Sequence, residues 1–173
     1  MKLSDGIEQA IHSVTMMCGL SENGVLSAAA LAEFHGVSTS YLLKHLQALS
    51  SRGILMTVPG PKGGYRLNRP PENISLLDIL LAVEGVEPAF RCKEIRQRGP
   101  NPLPKSTFVK PCGINAAMLR AEQAYRAELR KVTIADLLTD LSATDDGSIV
   151  ERGCRFLALH ERKSNLKTDP QRR

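Results

Sequence analysis

No stretch of this 173-residue sequence approaches the ~18 consecutive apolar residues of a membrane-spanning helix. The opening residues, MKLSDGIE, lack the basic and apolar regions of a secretory leader, so a cytoplasmic protein is expected. There is no GxSxG, no Walker loop and no HExxH, which removes the common hydrolase, nucleotide-binding and zinc-protease readings. KGGY at residues 62–65 has no strand-to-helix context and is a turn rather than a phosphate cradle. No enzyme and no small-molecule substrate are therefore expected. The four cysteines (Cys18, Cys92, Cys112 and Cys154) form no CxxC pair. In a reducing compartment they point to metal or redox chemistry rather than disulfides. One more absence is local: from Ser38 to Arg69 there is no acidic residue, but there are five bases, Lys44, Arg52, Lys62, Arg66 and Arg69. Residues 70–90 reverse this, with Glu72, Asp78, Glu84 and Glu87 and no base. So sharply bounded a basic block suits a phosphate-facing surface, although a solvated face would share its composition.

What is present is a sequence of helical and strand signals. Hydrophobic residues are 42% of the chain and charged residues 24%, enough apolar content for one domain or a small domain with an appendage. Ile7, Ala10, Ile11, Val14, Met17 and Cys18 have helical spacing over residues 5–19, and SENG follows as a loop. Ser27 caps a second helix that stops at Gly36, and Ser38 caps a third, with Leu42, Leu46 and Leu49 on one stripe. Two helices joined by a short Gly-containing turn make a helix-turn-helix. Ser38, Thr39, Ser40 and Tyr41 at the start of the third helix would reach base edges or phosphates, with Lys44 and Arg52 further along it.

ILMTV, PGPKGG and YRLNRP then spell a β-hairpin, which directly after a helix-turn-helix is a wing. Lys62, Gly63, Gly64 and Arg66 are its candidate DNA contacts, the glycines because they let backbone approach a phosphate closely. Asn73 or Ser75 opens a fourth, mostly apolar helix ended by Gly85, with Asp78 on its outer face. A polar, Pro-rich segment bounded by Cys92 and Cys112 follows. A long helix begins at Ile114 and suits dimerisation, packing onto its own domain being the plainer use. Thr133 caps a short last helix, TIADLLTDL. Beyond Ser142, GCRFLALHER suggests a turn or two of helix and KSNLKTDPQRR a disordered basic tail. The fold class is thus mainly α with a small β-hairpin wing: a winged helix-turn-helix domain plus a long dimerisation helix.

MKLS, VSTSYLLKHLQALSSRGIL, PKGGYRLNRP, ISLLDILLAVEG and TIADLL resemble the IscR/NsrR-type winged-helix transcription regulators over roughly residues 1–141. That resemblance implies a homodimer bound to palindromic double-stranded operator DNA. It implies segments at 1–85 (DNA-binding), 86–113 (cluster-binding loop) and 114–141 (dimerisation and last helices), with a variable tail at 142–173. Many members carry an iron–sulfur cluster on three closely spaced cysteines. This chain departs from that pattern, having only Cys92 and Cys112 with nineteen residues between them. It is similar instead to the RsrR-like redox-sensing subgroup, through FRCKEIRQRGP and through Glu8 and His12 on the first helix. Glu8 and His12 are neighbours on one helix face by their i, i+4 spacing, which alone would fit a surface pair. The subgroup resemblance implies that Glu8, His12, Cys92 and Cys112 ligate a [2Fe–2S] cluster bridging two subunits, controlling a repressor. Non-cysteine ligands on one iron are chemically tolerated. Zinc suits the same four groups, and an iron-free thiol switch through Cys92 and Cys112 is a third reading. A metal-stabilised interaction module without DNA binding is the reading of a different class. Cys18 is expected to be a buried core thiol, and His35, His45 and His160 are scattered in sequence, His45 being a DNA contact or simply exposed.

Overall fold

The computed structural model describes residues 3–164, so the tail expected at the C-terminus lies outside the described residues from position 165 onward. Helix α1 (Asp5–Met17) buries Ile7, Ala10, Val14 and Met17, a spacing that sets one stripe against α3 (Thr39–Ser51) and α4 (Leu76–Glu84). Between them, α2 (Ala28–His35) starts where the Ser27 side chain accepts the Ala30 N–H at 3.1 Å and ends at Gly36 with φ 66°. Only a residue without Cβ takes that left-handed conformation freely. Leu42, Leu46 and Leu49 of α3 are fully buried beside Leu31, Ile54, Ile74 and Ile79. Burying each such aliphatic side chain contributes roughly 1.5–3 kcal/mol, so the core needs no tryptophan.

Strands β2 (Leu55–Val58) and β3 (Gly64–Leu67) form the expected hairpin, in register Leu55↔Leu67 through Val58↔Gly64. Ser75, not Asn73, opens α4. Asp78 is half-buried and also caps the helix: its carboxylate accepts the Ser75 N–H at 2.9 Å and hydroxyl at 2.8 Å, closing a capping box. Thr133 and Asp136 build the same box at α6 (Ile134–Thr144), and the two helix starts lie side by side. The Leu76 N–H donates to Val132 at 2.9 Å and the Ile134 N–H to Ile74 at 2.9 Å, burying Ile134 completely. The long helix α5 (Gly113–Lys131) packs on α4 through Tyr125 and Leu129. Among the described residues no helix is long and apolar enough to cross a membrane.

The region after residue 142 holds more order than its charge and Gly/Ser content suggest. In place of a turn or two there is α7 (Ser148–His160), thirteen residues long. Its N-terminal amides at Ile149 and Val150 donate to the Asp145 carboxylate at 3.1 Å. Leu157 is buried, Phe156 lies 4.8 Å from Phe34 between ring centroids, and the Arg152 guanidinium sits 4.5 Å over Phe34. The aromatic and cation contacts are with Phe34 of α2, more than a hundred residues earlier. The chain then turns into β4 (Arg162–Lys163), antiparallel to β1 (Gly24–Val25), which begins at the last residue of the SENG loop.

Candidate DNA interface and metal centre

The exposed side of α3 carries Thr39, Ser40, Tyr41, Lys44, Gln47 and Ser51, with Ser38 and Arg52 exposed at its two ends. Ser38 holds the cap position, but its hydroxyl pairs with Ser40 at 3.0 Å instead of accepting a first-turn amide. Those amides are left available to an anion. Gln47 is not among the contacts expected from the sequence; its i, i+3 offset from Lys44 places it on the same face, and a glutamine amide can pair bidentately with adenine. His45 departs from expectation, being neither on the DNA-facing side nor exposed. It is half-buried, turned onto α1, where a Cβ on Gly6 would lie 2.3 Å from its ring. Burial holds its pKa below the ordinary imidazole range, with Glu84 pulling it up and Lys44 down.

On the wing, Lys62 is exposed at the turn and Arg66 is half-buried on β3 opposite Met56. Gly63 and Gly64 have a reason internal to the fold. A Cβ on Gly63 would lie 2.0 Å from the Val58 carbonyl oxygen, and one on Gly64 would lie 2.3 Å from that of Leu26. Gly64→Ala is therefore expected to destabilise the protein by about 1–3 kcal/mol, because backbone rather than a flexible side chain must move. Thermal melts of the variant beside wild type measure this, and an unchanged Tm would show that the wing relaxes freely. Lys44→Ala and Arg66→Ala should each weaken DNA binding and flatten its salt dependence by about 0.9 in log–log slope per phosphate contact. Titrations at several salt concentrations read both, and unchanged affinity in both variants would remove this docking surface.

The second site lies in the loop before α5. The loop is held at its start by α5 itself: Arg126 donates to the Val86 and Glu87 carbonyls at 3.1 and 3.2 Å, and Glu122 accepts the Ala89 N–H at 3.0 Å. Its far end is Cys112, the residue capping α5. The loop closes so that the Cys92 and Cys112 thiols and a Glu94 carboxylate oxygen all lie within 4.8 Å of one another. The Asn115 backbone N–H lowers the Cys112 pKa, desolvation opposes it, and the Ile114 N–H and the Arg96 charge add to the lowering. The net result is a thiol below the ordinary cysteine range, biased toward the thiolate that binds metals. Glu94, absent from the sequence expectation, has φ 48° and is paired with Arg96, whose guanidinium lies 5.0 Å over Phe108. Cys18 is half-buried, donates to the Val14 carbonyl at 3.4 Å and has its pKa pushed up to about 11 by burial, which suits an inert packing thiol. Cys154 is exposed on α7.

Glu8 and His12 are both exposed on α1, and among the described residues no ion pair or hydrogen bond joins them or engages either side chain. They line an open groove of about 450 Å³ with Asp5, Gln9, His35 and Arg152. The structure does not bring them to Cys92 and Cys112 within one chain; the close group there is Cys92, Glu94 and Cys112. It does bring His35, scattered in sequence, within 5.8 Å of His12 between ring centroids.

Residues 3–140 match the Rrf2 family, described as iron-dependent transcriptional regulator. The chain belongs to the Rrf2 family. It is 34% identical over 137 residues to YffB of Lactococcus lactis, named among HTH-type transcriptional regulators, spanning 79% of this chain and 86% of that one. It is 33% identical over 138 residues to protein aau3 of Rhizobium meliloti, spanning 80% and 85%. Among solved structures, oxidised CymR of Staphylococcus aureus is 26% identical with a TM-score of 0.57, covering 79% of this chain and 95% of its own. T. potens IscR gives a TM-score of 0.62 over 87% of this chain and 96% of its own; at 20% identity it speaks to the fold alone. This Rrf2 protein is a winged-helix transcriptional regulator and not an enzyme, which sets aside the interaction module without DNA binding. The Rrf2 match stops short of α7 and β4.

Proposed function

We propose that this Rrf2 regulator is a homodimeric repressor of palindromic operator DNA, controlled by a [2Fe–2S] centre that bridges the two protomers. Glu8 and His12 of one protomer and Cys92 and Cys112 of the other would hold it. The observation that carries this reading is the pair of complementary half-sites: two converged thiols in the loop, and an unengaged carboxylate and imidazole on α1. The donor chemistry fits, because two thiolates can share one iron while oxygen and nitrogen donors complete the other. The family's description as iron-dependent supports iron over zinc. When bound, such a centre supplies one-electron redox chemistry.

The protein's own residues supply the rest. Along α5 no residue is buried, and Ile114, Ala117, Met118, Ala121 and Ala124 form an exposed apolar stripe at i, i+3, i+4, i+7 and i+10. A 19-residue helix with such a stripe suits a two-fold mate, which matches a palindrome with half-sites about 34–36 Å apart. Helix α1 carries Glu8 and His12 on one side and presents Gly6 to His45 of α3 on another. With no Cβ at Gly6 the two helices are in close contact, so a displacement of α1 as Glu8 and His12 are held or released is passed to the recognition helix. The deciding test is the visible spectrum and iron content of anaerobically purified protein, before and after dithionite. Iron-free, zinc-loaded protein would overturn the cluster. The zinc reading has one observation of its own, the Glu94 carboxylate beside both thiols in one chain. It requires Glu94→Ala to lose the metal and His12→Ala to keep it.

A further inference from the structure

We propose that the α7–β4 segment, which lies beyond the Rrf2 match, is a second DNA-contacting arm, in which Arg162 on β4 joins Lys62 of the wing turn on the DNA backbone. The inference rests on the DNA-reading role of α3 and the wing. Two backbone ladders place Arg162 there. β4 pairs with β1 in the register Gly24↔Lys163 and Val25↔Arg162, and the Ser164 N–H donates to Asn23 at 2.9 Å. Immediately after β1, Leu26 exchanges both backbone hydrogen bonds with Tyr65 of β3, at 3.0 and 2.8 Å. A single bridge at Leu26 thus links the β4–β1 pair to the β3–β2 pair, and the C-terminal segment lies beside the wing.

Arg162 is exposed, yet its position is set: its guanidinium donates to the Pro61 carbonyl at 3.3 Å, beside Lys62 in the turn. A guanidinium has five N–H donors in a fixed fork, so one bond to Pro61 leaves the others for a phosphate. The neighbouring acid is turned away. Glu161 accepts the Ser21 hydroxyl and, at 3.3 Å, the Ser21 N–H. Helix α7 anchors the arm through Leu157 and through Arg152, which donates to the Phe34 carbonyl at 3.2 Å. The occupant that matches two adjacent exposed cations at a wing turn is the phosphate backbone flanking the bases read by α3.

The experiment uses the full-length protein and a duplex selected by wild type from a random-sequence library. Binding is titrated from ~50 to ~200 mM salt for wild type, Arg162→Ala and Arg162→Lys. With its guanidinium gone from the phosphate, Arg162→Ala shows a log–log slope flatter by about 0.9 for each phosphate no longer neutralised, and Arg162→Lys retains the wild-type slope. Affinity and slope unchanged in Arg162→Ala would overturn the proposal. So would a weaker affinity with an unchanged slope, since Arg162 would then only brace the turn. If wild type selects no sequence at all, the failure lies with the DNA-reading role of α3 and the wing, and not with this arm alone.

Discussion

Cys112→Ala is expected to leave the anaerobically purified protein without visible absorbance and with iron at background level. Cys112 occupies the N-cap position of α5, two backbone amides and Arg96 bias its thiol toward the thiolate, and thiolates are the ligands that hold iron–sulfur centres most strongly. Cys92→Ala should do the same, because one thiolate of the pair leaves an iron short of a ligand. His12→Ala tests the bridging arrangement. Both thiols remain, but half of the opposite pair is removed, so iron should drain away on desalting or exposure to air. Glu8→Ala should be milder, since water can replace a hard carboxylate and leave a shifted spectrum. Imidazole and thiol ligands must be deprotonated to bind, so metal retention in wild type should fall as pH is lowered. Histidine ligation should also place the reduction potential above that of an all-cysteine centre. Full visible bands and an unchanged potential in His12→Ala would put α1 outside the coordination sphere and return Glu8 and His12 to the surface.

With α5 as the proposed two-fold seam, Ala121→Glu should leave the protein monomeric at micromolar concentration and abolish tight operator binding. Ala121 lies in the middle of the apolar stripe of α5 and is exposed in the single chain, on a helix with no buried residue. In a two-fold seam the new carboxylate meets its own copy in a desolvated setting, which costs several kcal/mol and weakens association about a hundredfold or more. The winged-helix core does not use this position, so the far-ultraviolet spectrum should match that of wild type. Sedimentation velocity reads the assembly directly. A variant that remains dimeric would show that the two-fold seam lies elsewhere than on α5.

Much of this molecule is local in its causes. The apolar spacing of Ile7, Ala10 and Val14, the Leu42, Leu46 and Leu49 stripe, the Ser27 cap and the left-handed Gly36 each act within one or two helical turns. For that reason α1 to α4, the wing and the helix after the loop can all be read from the residues. Of the acid-free block, Lys44, Arg52 and Lys62 are exposed, whereas Arg66 and Arg69 are half-buried. Other features depend on which distant segments meet. His45 lies on a recognition helix by every local sign, but the missing Cβ of Gly6 opens a place for its ring on the inward side. Cys92 and Cys112 meet with Glu94 only because Arg126 and Glu122 hold the start of the loop on α5, the helix that Cys112 caps. Helix α7 and β4 are the clearest case. Gly153, Phe156, Leu157 and His160 of α7 do fall on one side at helical spacing, but the surface they pack on, Phe34, Gly19 and β1, lies far before them in sequence. The sequence by itself determined α1 to α6 and the hairpin, because caps, turns and apolar spacing act over a few residues. Which side chains share a site was decided by the tertiary structure, because those contacts join residues whose separation leaves no periodic trace.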